Sequence, residues 1–194
     1  IMSKYVGWGG LAPAFDEQNE VWAKEYKQLK ELLTPEEYRV ANSTVLDSFY
    51  TSPVIIDAIY DAVDKFGFTG GNILEPACGV GNFFGRMPEK IMESSKLYGV
   101  EKDSISGRIA QKLYPGVDIS IKGYEECDFN DGSFDIAIGN VPFGDISISD
   151  LKIHDFFFAK TLDKVKEGGI VAFITSKGTL DKKDSSFRQN KKKK

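Results

Sequence analysis

The sequence predicts an α/β protein, a mostly parallel sheet with helices on both faces. Three observations carry this prediction. From residue 72 onward, short apolar runs of strand character alternate with helical stretches, the pattern of a wound parallel sheet. The first run ends in a glycine-rich turn that opens a helix, Leu74–Glu75–Pro76–Ala77–Cys78–Gly79–Val80–Gly81–Asn82–Phe83–Phe84–Gly85. The second run ends on an acidic residue, Glu101, twenty residues beyond Gly81.

The elements are read in chain order. Gly7, Gly9 and Gly10 surround Trp8 in a loop-like opening. Glu20 to Leu33 carries Val21, Trp22, Tyr26, Leu29, Leu32 and Leu33 at helical spacing. Thr34–Pro35–Glu36–Glu37 starts a second helix, with Thr34 as cap, Pro35 at the first helical position and Glu37 completing a capping box. A third helix follows Thr51–Ser52–Pro53 by the same capping logic. Its apolar face is read as Ile55, Ile59, Ala62, Val63 and Phe66, and Gly67 and Gly70–Gly71 end it. Strands are predicted at 72–75, 96–101, 118–122, 134–139 and 169–175. Helices are predicted after Gly81, at 104–114 and at 153–166, the last opened by His154 and Asp155 as capping and packing groups. This divides the chain into a helical extension (1–48), an α/β core (49–180) and a polar, basic tail (181–194).

Composition bounds the function. A chain of 194 residues suits one domain with an appendage. With 41% hydrophobic and 28% charged residues it is not disordered, collagenous or a coiled coil. Its longest apolar stretches, such as Ile170 to Ile174, fall far short of the roughly 20 residues that span a bilayer. No signal peptide stands at the start. The expectation is a cytoplasmic protein without membrane contact. Cys78, Cys127 and His154 are too few for a four-ligand zinc site, so no metal is expected. The net charge is −4, and Lys191 to Lys194 mask a body at −8. An acidic body grips polyphosphate poorly by itself. Ile1 before Met2 and the closing lysine run are read as the cut ends of a piece of a longer protein.

The glycine turn and Glu101 together read as a site for an adenosine-containing cofactor. In an open parallel sheet the ligand lies at the carboxyl ends of the strands. An acidic group ending the second strand commonly accepts hydrogen bonds from ribose hydroxyls. A nicotinamide dinucleotide is one candidate. Glu75 argues against it, because a carboxylate before the turn repels a pyrophosphate and attracts an ammonium group. A methionine-bearing cofactor carries that ammonium group.

The fourth strand ends at Gly139–Asn140–Val141–Pro142–Phe143–Gly144. Asn140 offers an amide oxygen. Val141, preceding proline, is biased to an extended conformation that leaves its carbonyl outward. Phe143 offers a flat apolar face. Together these suit the grip of a planar base carrying an amino group. Two acceptors take the amine hydrogens and the ring stacks on the base, a contact worth about 1–3 kcal/mol. An amine so held can attack a sulfonium methyl directly, with positioning supplying much of the rate.

The order of these motifs resembles an amino-group DNA methyltransferase of the gamma arrangement. Phe49–Tyr50–Thr51–Ser52–Pro53 resembles its opening cofactor motif, 75–81 its methionine loop, Val100–Glu101–Lys102 its ribose-binding strand end, and 139–143 its Asn–Pro–Pro–Tyr/Phe motif. Tyr5–Val6–Gly7–Trp8–Gly9–Gly10–Leu11 and the Asn–Val–Pro–Phe variant are similar to the methylase portion of large methylase–helicase proteins of phages, plasmids and conjugative elements. The resemblance implies a Rossmann-like methyltransferase fold lacking its usual last two strands. It implies S-adenosyl-L-methionine as cofactor, held by Tyr50, Thr51, Glu75, Ala77, Cys78, Gly79, Gly81, Phe83, Glu101 and Lys102. Glu125 or Glu126, beside Tyr124, stands where the family places an aspartate for the cofactor's adenine. Asn140, Val141, Pro142 and Phe143 are the implied catalytic residues, with Val141 where the family has its first proline. The implied reaction is N6 methylation of a flipped-out adenine in double-stranded DNA, as in restriction-modification. The implied partners are a recognition domain outside this chain and a helicase module, and the piece alone is expected to be inactive. The alternatives are a methyltransferase acting on protein glutamine or RNA, a non-catalytic module of the same fold, and a nicotinamide-dependent enzyme.

Overall fold

The computed structural model describes residue 5 and residues 7–45, 50–143 and 146–175. Phe49, Gly144 and the predicted tail at 181–194 lie outside the described residues.

The chain opens with a small helical module. Two short 3-10 turns, Ala12–Phe15 and Glu20–Trp22, precede α1 (Ala23–Leu32) and α2 (Pro35–Thr44). The helix predicted from Glu20 is therefore two pieces, and Val21 and Leu32 of its apolar stripe point to solvent. The capping box of α2 forms as predicted: Glu37 N–H donates to Thr34 Oγ1 at 3.2 Å, and Thr34 N–H donates to Glu37 Oε2 at 3.0 Å. Trp8, Ala14, Phe15, Ala41 and Val45 make the module's own core. Trp8 meets Phe15 edge-on at 5.7 Å between ring centroids.

α3 (Pro53–Lys65) follows. No side chain caps it at Ser52, contrary to the sequence reading, so Pro53 alone marks its start. Its buried face is Ile56, Tyr60 and Val63. Ile55 is 49% exposed and Phe66 76% exposed, so the predicted face was rotated by about one position. Both sets have helical spacing, and only the sheet beneath decides between them.

The core alternates as expected: β1 (Asn72–Glu75), α4 (Asn82–Arg86), α5 (Glu89–Glu93), β2 (Lys96–Glu101), α6 (Ser104–Leu113), β3 (Asp118–Ile121) and β4 (Phe134–Asn140). A two-strand hairpin, β5 (Ser147–Ile148) and β6 (Leu151–Lys152), leads into α7 (Ile153–Lys164) and β7 (Val165–Ile174). The N-cap position of α7 falls on Lys152, whose own side chain makes no cap hydrogen bond, and His154 and Asp155 stand within the first turn; His154 is buried.

The five long strands form one parallel sheet in the order β3-β2-β1-β4-β7. Alternate side chains leave opposite faces. Ile73, Ile136 and Ile138 pack with α3 and α4 through Ile56, Tyr60, Val63, Phe83 and Phe84. Leu74, Val100 and Ala137 pack with Tyr124 and with Phe157 of α7. Helices thus cover both faces. The chain winds outward from β1 in both directions, which places a crevice at the carboxyl ends of β1 and its neighbours.

Candidate functional site

The register sets the site's shape. Glu75 pairs with Gly99, so β2 runs two residues farther, to Glu101. Leu74 pairs with Ala137, so β4 also runs two residues past the level of Glu75, to Asn140. Glu75 is the floor between two taller walls. A cavity of about 470 Å³ opens there. Of the predicted residues, Tyr50, Thr51, Glu75, Ala77, Cys78, Gly79, Phe83, Glu101, Lys102, Glu125, Asn140 and Pro142 line it.

Gly81, Val141 and Phe143 are not among the lining residues. Gly81 serves the turn instead. It has φ +84, and a Cβ there would lie 2.5 Å from the Tyr114 ring. Val141 is fully buried against the α7 side of the sheet, and its N–H donates to Ile174 O at 3.2 Å. Phe143 is half-buried beside the cavity. Tyr124 and Glu125 line the cavity; Glu126 does not.

Other lining residues escaped the sequence reading. Ser43 and Thr44 come from the end of α2, Ser106 from α6, Lys122 from beyond β3, and Ile146, Ser147 and Ile148 from the hairpin. The hairpin had a signal: Ser149–Asp150, a polar pair between β-branched and apolar residues, takes positive φ at both positions as a tight hairpin turn requires. Ser43 and Thr44 had none, because tertiary docking alone brings them there.

The loop after β1 is held by three backbone contacts. Cys78 N–H donates to Val100 O at 2.9 Å, Gly81 N–H to Cys78 O at 2.8 Å, and Gly79 N–H to Glu101 Oε2 at 2.8 Å. The other oxygen of Glu101 accepts from Asp103 N–H at 2.7 Å. Asp103 caps α6, accepting from Ile105 N–H, Ser106 N–H and Ser106 Oγ.

Two carboxyl groups dominate the interior. Glu75 is 2% exposed, and its Oε2 has no hydrogen-bond partner among the described residues. Burial, and then the charge of Glu101, hold its pKa well above the usual carboxylate range. Gly139 permits this approach, since a Cβ there would come within 3.2 Å of Glu75 Cγ. Burial also raises Glu101, to about 7, against the pull of the backbone N–H groups of Asp103 and Gly79. At the rim Lys102 faces Glu125 at 3.8 Å. Such a well suits a ligand that brings a cationic group to Glu75 and hydroxyl donors to Glu101.

No protein-family model matches the chain. By sequence it is similar to the defense against restriction protein B of Escherichia phage P1, 29% identical over 140 residues, 66% of this chain and 6% of that protein. It is also similar to the methylase subunit of the type I restriction enzyme MjaIX of Methanocaldococcus jannaschii, 31% identical over 108 residues, 50% of this chain and 19% of that protein. The chain thus spans less than a fifth of either relative's length. Among solved structures it is similar to a protein assigned as the modification subunit of a type I restriction enzyme from Vibrio vulnificus. That match has a TM-score of 0.59 and 19% identity, and covers 91% of this chain and 43% of the other. A geranyl diphosphate methyltransferase solved with S-adenosylmethionine matches with a TM-score of 0.51 and 12% identity, covering 97% of this chain and 68% of the other. The fold is the Rossmann-like fold of S-adenosylmethionine-dependent methyltransferases.

Proposed function

We propose that this chain binds S-adenosyl-L-methionine and carries the catalytic turn of an adenine-N6 DNA methyltransferase. One observation carries the reading: the buried, unpartnered Glu75 carboxyl lies in one cavity with Glu101 and Asn140. A buried carboxyl without a partner is costly, and an ammonium group entering beside it relieves that cost. The cofactor's methionine end brings such a group. The two carboxyls weigh against a pyrophosphate, and so against a nicotinamide dinucleotide. The restriction-system relatives support DNA as the acceptor's source.

When bound, S-adenosylmethionine supplies an electrophilic methyl group on a sulfonium. The protein's own work is positioning. Glu75 receives the ammonium, with Tyr50, Thr51 and the 77–79 backbone around the carboxylate end. Glu101 would accept from the ribose hydroxyls, and Tyr124 and Glu125 would stand beside the cofactor's adenine. The target adenine leaves the duplex. Asn140 Oδ1 and the Val141 carbonyl accept its two amine hydrogens, Pro142 fixes their relative direction, and Phe143 stacks on the ring. Holding both hydrogens returns the nitrogen lone pair from the ring to the methyl. No group on the protein needs to take the proton before transfer: the amine lone pair would take the methyl, sulfur would keep the pair of the broken carbon–sulfur bond, and the surplus proton on nitrogen would leave to water afterwards.

A double-stranded DNA grip on a recognition domain outside this chain, and a helicase module working with it, belong to the same proposal. The body's charge of −8 without its last four lysines favours such a division of labour. Calorimetric titration with S-adenosylmethionine, S-adenosylhomocysteine and NAD tests the cofactor. Tight binding of the first two, lost in Glu101→Ala, is expected; binding of NAD alone overturns the reading. Mass spectrometry of nucleosides from DNA incubated with cofactor and a longer protein that carries both this chain and the proposed recognition domain tests the acceptor. Methylated RNA or protein glutamine in its place would move the acceptor elsewhere, and cofactor binding without transfer to any of the three would favour a non-catalytic module.

A further inference from the structure

The wall of the cavity that carries Tyr124 and Glu125 is a single 3-10 turn, Tyr124–Glu126, set beyond the end of β3 at Ile121. Two backbone bonds close it, Glu126 N–H to Gly123 O at 3.0 Å and Cys127 N–H to Tyr124 O at 3.2 Å. A turn this short leaves its last carbonyls without partners of its own. Gly123 at its start gives the Glu125 side chain room, since a Cβ there would lie 2.5 Å from Glu125 Cδ. The Glu125 carboxylate so placed faces Lys102 at 3.8 Å. Where this turn stands therefore decides where two cavity residues stand.

One face of α7 holds the turn. Phe157, Lys160 and Thr161 stand at i, i+3 and i+4 of the helix and so project to the same side. The Phe157 ring lies against the Tyr124 ring, 5.1 Å between centroids and tilted by 35°. Thr161 Oγ1 and Tyr124 Oη share a hydrogen bond at 3.2 Å, both groups buried. Lys160 Nζ donates to Cys127 O at 2.7 Å and to Glu125 O at 3.2 Å, and sits 5.1 Å from the centroid of the Tyr124 ring. These carbonyls lie at and just past the end of the turn, where a cation completes the backbone and meets the negative end of its dipole. Burial lowers the Lys160 pKa from the ordinary lysine value, so the ammonium gives up solvent to be there. The next lysine on the helix, Lys164, pairs instead with exposed Asp131 at 2.8 Å.

We propose that Lys160 is a positioning residue of the cofactor site: by gripping the carbonyls of Glu125 and Cys127 it fixes the turn whose Tyr124 and Glu125 form the wall for the cofactor's base. This rests on the cofactor reading above. Lys160 acts through the backbone of the turn and not by touching the ligand. It therefore governs the base end of the cofactor and leaves alone the methionine end, which Glu75 and the 77–79 loop serve. S-adenosylhomocysteine and S-ribosylhomocysteine, the same molecule without its adenine, separate the two ends.

Calorimetric titration of the full chain with both ligands, in the parent, Lys160→Met and Lys164→Met proteins, reads the effect, with thermal unfolding recorded beside it. Lys160→Met nearly keeps the length of the side chain and loses its donors. It is expected to weaken S-adenosylhomocysteine binding about fivefold, the equivalent of one ordinary hydrogen bond, and S-ribosylhomocysteine binding by less than about twofold. Lys164→Met, which removes an ion pair from the same helix, is expected to leave both affinities in place. A second readout needs no ligand. Cys127 is buried at the end of the turn, its thiol donating to Gly123 O at 3.6 Å, and Cys78 is buried in the loop after β1. Lys160→Met is expected to speed alkylation of Cys127 about fivefold by local opening, resolved by peptide mass spectrometry, and to leave Cys78 at the parent rate. If Lys160→Met does not fold, Lys160→Gln, polar but too short to reach both carbonyls, takes its place. An equal loss for both ligands, or no loss for S-adenosylhomocysteine, would overturn the positioning role, as would Cys127 alkylation at the parent rate. A parent chain that binds neither ligand would overturn the cofactor reading, and this inference with it.

Discussion

Glu101 holds the backbone N–H of Gly79 at 2.8 Å, so a side chain at the end of β2 fixes the loop that follows β1. The same carboxylate is read as the ribose acceptor. Glu101→Ala therefore removes a ligand contact and loosens the loop together. We expect it to weaken S-adenosylmethionine binding roughly 10- to 100-fold, the cost of losing hydrogen bonds to a charged group. Glu101→Gln, which keeps the shape and loses the charge, should fall between. Calorimetry on both variants checks the order, and equal affinities in all three proteins would contradict the assigned role.

The protein's stability should fall as pH rises through the window in which Glu101 ionises. Its folded pKa of about 7 lies above the ordinary carboxylate value, because burial disfavours the charge. Between the two values the folded state binds more protons than the unfolded chain, so raising pH costs stability. Glu75, shifted the same way, adds to the slope. Cofactor binding should have the opposite slope, since the ionised pair attracts a cationic ligand. Unfolding temperatures without cofactor should drop from pH 5.5 to 7.5, while the increment on adding S-adenosylmethionine grows. A flat profile in the Glu75→Gln, Glu101→Gln double variant would tie both trends to this pair.

Asn140→Ala should separate binding from transfer. Asn140 lines the cavity at the end of β4, across Glu75 from the Glu101 wall. Cofactor affinity is expected to change less than about twofold, while methyl transfer to adenine falls by about 100-fold or more, as when one pre-set polar group leaves a reacting centre. Calorimetry on this chain, and labelled-methyl transfer by a longer protein that carries it with the proposed recognition domain, make the comparison. A matched loss in both would place Asn140 in cofactor binding instead.

Gly81→Ala should damage the fold more than the ligand contacts. The new Cβ meets the Tyr114 ring at 2.5 Å on a backbone with φ +84. Left-handed backbone costs an L residue about 1–2 kcal/mol and overpacking about 1–3 kcal/mol more. A loss of roughly 2–5 kcal/mol in urea unfolding is expected. Tyr114→Ala combined with Gly81→Ala should recover only the packing part.

The sheet was legible because its strands are short apolar runs stopped by glycine or an acidic residue, and Glu75, Glu101 and Asn140 all sit at such stops. What failed depended on neighbours. Ile55 and Ile56 are equally apolar, and only the sheet under α3 makes Ile56 the buried one. Ser43 and Thr44 look like an ordinary polar helix end, and their place at the cavity comes from α2 docking on α6. Gly81 was read correctly as a turn glycine, yet the reason it must be glycine is Tyr114, more than thirty residues away.

Val141 stands where a proline would have no N–H to give. Its N–H instead reaches Ile174 O at the end of β7, and Asn140 lies opposite Ile174 in the ladder. The turn at the end of β4 is thereby moored to β7, the end strand of the sheet among the described residues. That hydrogen bond carries the β4–β7 ladder one residue farther, past Asn140 and into the turn. The edge of the sheet and the turn therefore share one rigid seam, and a proline at 141 would end that seam one rung sooner.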